Sequence, residues 1–237
     1  MVAIPPGDGG QNGVQNGVED LGWARVDTAR AARTGDPEVV YGQGKTPAQV
    51  VDILRTLHRA HPDRAVLATR LAPAALKAVA TEFPAAALDP IARAATLGPL
   101  PEPRGLVLVL SAGTSDGPVA GEAELTIRTH GAEARRIDDV GVAGLHRLLA
   151  VQDQLAEADC LIVVAGMEGA LPPVVGGLTG VPLIAVPTST GYGTGAGGYA
   201  AMLAMLNSCA PGVVVVNVNN GYGAGVHAAR VARGTHR

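Results

Sequence analysis

Cys160-Leu161-Ile162-Val163-Val164-Ala165-Gly166-Met167-Glu168-Gly169-Ala170-Leu171-Pro172 is an apolar run that empties into a loop of small residues holding one carboxylate. Six successive apolar residues leave no polar face, so such a strand needs cover on both sides, as in a parallel α/β sheet. Val213-Val214-Val215-Val216 reads the same way. Working outward, strands at 106–111, 134–138, 160–165, 182–186 and 213–218 alternate with helices at 118–130, 143–157, 170–179, 196–207 and 224–233. The alternation predicts an α/β fold with a doubly wound parallel sheet of flavodoxin-like connectivity. Ligands bind such sheets at the carboxyl ends of the strands, where loops of Gly, Ser, Asp and Glu form a rim. An enzyme is expected, and the thiol-bearing run Asn207-Ser208-Cys209-Ala210-Pro211-Gly212 is read as part of the same rim.

Upstream, the pattern predicts a helix over 21–32, a strand at 38–41 and a helix from Thr46-Pro47 to about Ala60. A strand at 65–69, a helix at 73–82 and a strand near 86–88 complete a small α/β domain over 19–100. Pro99, Pro101 and Pro103 can continue neither a helix nor an inner strand, so the boundary is placed there and the catalytic domain at 104–237. Residues 1–18, rich in Gly, Gln and Asn without apolar periodicity, read as a disordered tail.

The 237 residues carry 18 Lys and Arg without a basic stripe and a net charge of -3, so nucleic acid and anionic membranes are not expected partners. No stretch approaches the ~20 apolar residues of a membrane span. Met1 to Val18 lacks a basic segment followed by an apolar one, so a cytoplasmic protein is expected. Two cysteines, Cys160 and Cys209, form neither a disulfide framework nor metal-ligand spacing. Cys160, inside an apolar strand, reads as core; Cys209, beyond a helix, is open to either a structural or a nucleophilic role.

Gly113-Thr114-Ser115-Asp116-Gly117 joins the first strand of the large domain to its helix. Such a loop lets backbone N–H groups approach a phosphate, with Asp116 accepting from ribose hydroxyls; the same residues are also what any helix start prefers. Thr188 to Gly198, with Gly193 and Gly195, is longer and richer in glycine than an ordinary connection needs and reads as a mobile or ligand-hugging loop. Asn217-Val218-Asn219-Asn220-Gly221 repeats the theme, although its asparagines also suit turns. Glu168 stands at a strand tip, where a carboxylate partly withdrawn from water would serve as a proton acceptor; a first-turn acid on a helix is the plainer alternative. Lys45 and His146 are basic side chains that would meet phosphate or carboxylate, or lie on the surface.

The large domain resembles the PurE-type aminoimidazole ribonucleotide carboxylases in Gly113-Thr114-Ser115-Asp116, in Ala165-Gly166 followed by Leu171-Pro172, and in Val181-Pro182-Leu183-Ile184-Ala185-Val186-Pro187. About residues 20 to 233 resemble a narrower family, LarB, the carboxylase/hydrolases of nickel-pincer nucleotide cofactor synthesis. The stretches that carry it include Asp36-Pro37-Glu38-Val39-Val40-Tyr41-Gly42-Gln43-Gly44-Lys45-Thr46, Val142-Ala143-Gly144-Leu145-His146-Arg147 and Asn207-Ser208-Cys209. Two departures stand out: Ala170 where PurE enzymes carry histidine, and Asn219 where LarB carries aspartate.

The resemblance implies carboxylation of the pyridinium ring of nicotinic acid adenine dinucleotide by CO2 or bicarbonate, with hydrolysis of its phosphoanhydride. It also implies Mg²⁺ and a homo-oligomer. Cys209 would then be the covalent activator and Glu168 the base. Thr114, Ser115, Asp116, Lys45, His146, Gly166, Gly193 and Gly195 would bind the substrate. Two other readings stay open: a PurE-like mutase, which would lack its histidine, and a non-catalytic nucleotide-binding module, which would not need Cys209.

Overall fold

In the computed structural model the described residues are 17–235. The expected tail lies outside them up to residue 16, but Val18 already opens a strand. Val18–Asp20 (β1) and Arg25–Asp27 (β2) pair antiparallel, and the short helix Arg30–Thr34 (α1) follows. The helix expected over 21–32 is therefore mostly a hairpin. Gly22 adopts φ 82° and its N–H donates to Asp20 Oδ1 at 2.8 Å, a combination that reverses the chain rather than winding it.

Val40–Tyr41 (β3) leads into Pro47–Ala60 (α2), whose start is set by reciprocal bonds: Gln49 N–H donates to Thr46 Oγ1 and Thr46 N–H to Gln49 Oε1. Val66–Thr69 (β4), Pro73–Glu82 (α3), Ala87–Asp89 (β5) and Ala94–Leu97 (β6) complete the small unit, with sheet order β3-β4-β6-β5. Only β3 and β4 run parallel. Strand β6 was not expected, because Ala94-Ala95-Thr96 has little intrinsic β signal and is held by pairing on both sides.

The large unit runs Leu106–Ser111 (β7), Gly117–Thr129 (α4), Glu133–Ile137 (β8), Leu145–Leu149 (α5), Cys160–Ala165 (β9), Leu171–Leu178 (α6), Leu183–Pro187 (β10), Tyr199–Leu206 (α7), Val213–Val215 (β11) and Gly221–Thr235 (α8). The five strands are parallel in the order β11-β10-β9-β7-β8, the doubly wound arrangement expected, with its switch point between β7 and β9. Leu106, Leu108, Leu110, Leu161 and Val163 face α5, α6 and α7, whereas Val107, Val109, Cys160, Ile162 and Val164 face α4 and α8.

Three elements differ from expectation. The helix over 143–157 is only α5, then 3₁₀ turns at 152–157, tightened by bonds from Val151 N to Leu148 O and Gln154 N to Val151 O, both at 3.1 Å. Helix α7 begins at Tyr199 because Ala196, Gly197 and Gly198 are all left-handed. Strand β11 is a short edge strand, and Val214 is exposed rather than covered.

The small unit docks on α4 and α8. Asp36, buried, accepts from Arg230 Nε at 2.7 Å and from Arg233 Nη2 at 2.9 Å. Arg70 donates through Nε to Glu122 Oε1 at 3.1 Å and through Nη2 to the Asn219 carbonyl, and lies over the Tyr41 ring. The Glu122 side chain is 4% exposed and that of Arg70 29%. Arg70→Met is expected to strand the Glu122 charge and cost about 2 kcal/mol, below the range for a fully enclosed pair because Arg70 keeps contact with water. Urea melts of Arg70→Met against Arg70→Met/Glu122→Met check this: the double variant should recover part of the loss.

Candidate active site

A cavity of ≈ 420 Å³ opens at the switch point, between the loop after β7 and the loop after β9. Thr114, Ser115, Asp116, Gly166 and Glu168 line it together, joined by Thr190 from the loop after β10. Arg147 and Asp139 form an ion pair on its wall.

Asp116 ties the loop after β7 to the loop after β10. Its Oδ1 accepts from Thr188 Oγ1 at 2.7 Å and its Oδ2 from Gly113 N at 3.1 Å. The carboxylate expected to accept from ribose hydroxyls is thus engaged inside the protein, leaving the exposed Thr114 and Ser115 as hydroxyl residues of the same loop that line the cavity. Burial pushes the Asp116 carboxyl above its ordinary value of 3.8, while the bonds from Thr188 and Gly113 pull the other way.

A carboxyl raised on folding adds stability that is complete below the unfolded value and is lost as pH climbs through the folded one. Wild type is therefore expected to lose stability relative to Asp116→Asn as pH rises through the range just above 3.8. At neutral pH the two should differ by a constant amount. Urea melts across the acid range check it, and a difference independent of pH throughout would contradict it.

Gly166 is needed for close approach: a Cβ there would lie 2.6 Å from Thr188 Oγ1 and collide with the Thr190 carbonyl. Glu168 follows β9 as expected, but it is exposed, so this chain alone does not withdraw it from water. Met167 beside it adopts φ 53° and is exposed as well.

The remaining expected residues lie elsewhere. Lys45 Nζ donates to the Tyr41 carbonyl at 2.8 Å in the small unit, His146 is exposed on α5, and Gly193 and Gly195 sit in an exposed 3₁₀ segment. None of these four lines the cavity. Cys209 is exposed but is not on the same rim. It belongs to a helix-to-strand connection, four residues before Val213, which pairs with Leu183 and through it aligns with Leu161. Ala165 lies four residues further along β9, about 13 Å at the rise of a parallel strand, and Glu168 lies beyond it. Thiol and carboxylate therefore stand toward opposite ends of this sheet. Cys160 is buried, and burial pushes its thiol up to about 12.

Sequence reading did not single out Arg70, Arg93 or Asp139 near the cavities; isolated charges in short turns carry no spacing signal. Thr190 lies within the Gly-rich stretch that composition does mark. Asn219, in place of the expected aspartate, accepts from Ser189 N at 2.9 Å and donates from Nδ2 to Ser189 Oγ at 2.8 Å. Among the described residues no group of three His, Cys, Asp or Glu side chains is placed to hold a metal. No described helix is long and apolar enough to cross a membrane.

Residues 18–99 match the model of the LarB/PurE-like N-terminal domain, and residues 106–237 match that of AIR carboxylase. An uncharacterized protein of Methanocaldococcus jannaschii, MJ0165, is 40% identical over 225 residues, covering 90% of this chain and 85% of its own length. A crystal structure of a Treponema denticola PurE2 variant is 26% identical, with a TM-score of 0.44, over 54% of this chain and 79% of that one. With its carboxyl-terminal half and more matched by one family model and the remainder by the companion domain, the chain belongs to the AIR carboxylase family and carries a LarB/PurE-like N-terminal domain.

Proposed function

We propose that this protein carboxylates the pyridinium ring of nicotinic acid adenine dinucleotide at C5 and hydrolyses the phosphoanhydride, giving pyridinium-3,5-biscarboxylic acid mononucleotide and AMP. The observation that carries the reading is the switch-point cavity, where Glu168 shares a wall with the Thr114 and Ser115 hydroxyls. Ala170, also on that wall, stands where PurE enzymes carry histidine, which argues against purine carboxylation.

A pyridinium ring is too electron-poor to attack CO2. Addition of the Cys209 thiolate to a ring carbon beside nitrogen moves an electron pair onto nitrogen and makes C5 nucleophilic. C5 then bonds to CO2, Glu168 takes the C5 proton, and the returning electron pair rearomatises the ring as the C–S bond breaks. Among the described residues no group of three His, Cys, Asp or Glu side chains would hold the expected Mg²⁺, which when bound would supply positive charge for the hydrolysis of the anhydride.

The thiol in this reading comes from a second copy, since one chain holds Cys209 and Glu168 toward opposite ends of its sheet. Cys209 is exposed, and Leu203, Leu206 and Val214 near it are large apolar side chains open to solvent, a surface suited to a homo-oligomeric contact. The experiment is incubation with the dinucleotide and isotopically labelled bicarbonate, read by mass spectrometry. Labelled mononucleotide together with AMP is expected; labelling of aminoimidazole ribonucleotide instead would contradict the reading.

A further inference from the structure

A second cavity, of ≈ 280 Å³, lies on the seam between the two units. The small unit contributes Arg70 and Arg93 to it, and the large unit Ser115, Ser189, Thr190 and Asn219. Ser115 and Thr190 also line the switch-point cavity, so the two spaces share a wall.

The charges on this seam do not cancel. Arg70 is matched by Glu122, which lines the same space. Arg93 has no carboxylate within ion-pair distance among the described residues, and the one protein bond of its guanidinium among them is from Nε to the Leu71 carbonyl at 3.1 Å. That bond ties two turns together, which would be role enough for a surface arginine. It leaves four of the five guanidinium N–H donors without a protein acceptor. The Ser189 hydroxyl, which accepts from Asn219 Nδ2, keeps its own proton to donate. An unmatched guanidinium among free hydroxyl donors is chemistry for a phosphate, which takes the planar fork in two parallel bonds.

We infer that this seam is the phosphate lobe of the substrate site, in which Arg93 binds the nucleotide half that does not react. The inference rests on the reading of the substrate as a dinucleotide. Such a substrate needs two lobes joined near its phosphates, and the two cavities meet at Ser115 and Thr190. In this arrangement the small unit recognises the part of the substrate that leaves as the nucleoside monophosphate.

The test uses the full chain with AMP as the probe, by calorimetry, alongside steady-state carboxylation of the dinucleotide. Arg93→Gln should weaken AMP binding about tenfold and raise KM by a similar factor, the scale of one charged hydrogen-bonding contact, with kcat within about twofold. Arg93→Lys, which keeps the charge and loses the fork, should fall between the two and serves if Arg93→Gln does not fold. Failure of wild type to bind AMP at millimolar concentration would overturn the lobe, as would equal AMP affinity and KM in wild type and Arg93→Gln. Arg93-dependent AMP binding in a protein that does not carboxylate the dinucleotide would keep the lobe and remove the reaction proposed above.

Discussion

Cys209→Ser is expected to lose carboxylation by at least ~10³-fold, the scale on which removal of a covalent nucleophile acts. A serine hydroxyl is a far weaker nucleophile than a thiolate at neutral pH, and without an added electron pair the pyridinium ring does not attack CO2. The fold should be untouched, because Cys209 is exposed in a connection between α7 and β11. Cys160→Ala is the contrasting variant. Its thiol is buried against α4 and α8 and is pushed up to about 12, so it cannot supply thiolate. That substitution should cost about 1 kcal/mol of stability and leave turnover in place. Turnover rates and urea melts of the two variants check the pair; carboxylation by Cys209→Ser at the wild-type rate would remove the covalent step.

Glu168→Gln is expected to bind the dinucleotide and to slow turnover by about 10²- to 10⁴-fold, the contribution of a positioned proton acceptor. Mixing the two variants reads the same site across copies. If thiol and carboxylate of one site come from different copies, Glu168→Gln and Cys209→Ser chains co-assembled in equal amounts should recover about one quarter of the wild-type rate, although each alone is slowed at least about 10²-fold. A site built within one chain would recover nothing. The arrangement also accounts for two features of the single chain: an exposed Glu168 and an apolar surface at Leu203, Leu206 and Val214 without a partner.

The doubly wound sheet was legible because its inner strands are apolar on both faces; β7 and β9 occupy the residues that the apolar runs marked. The small unit was less so. A left-handed Gly22 turned an expected helix into a hairpin, and Ala94–Leu97 became a strand only through its neighbours. For the site, the loops after β7 and β9 could be read from their composition and their place after a strand. The end of the sheet on which Cys209 sits was misjudged, although order alone decides it, since a helix-to-strand connection lies toward the amino ends. The engagement of Asp116 by Thr188 joins residues far apart in the chain, and the docking of Arg70 on Glu122 joins two domains; neither leaves a periodic trace.

The central claim is the thioether between Cys209 and the pyridinium ring, and the intact mass of protein quenched during turnover, followed by peptide mapping, tests it most directly. The account predicts a nucleotide-sized adduct on the peptide that holds Cys209, absent from Cys209→Ser and accumulating in Glu168→Gln. An adduct on Cys160, or none on any peptide while carboxylated mononucleotide forms, would contradict it.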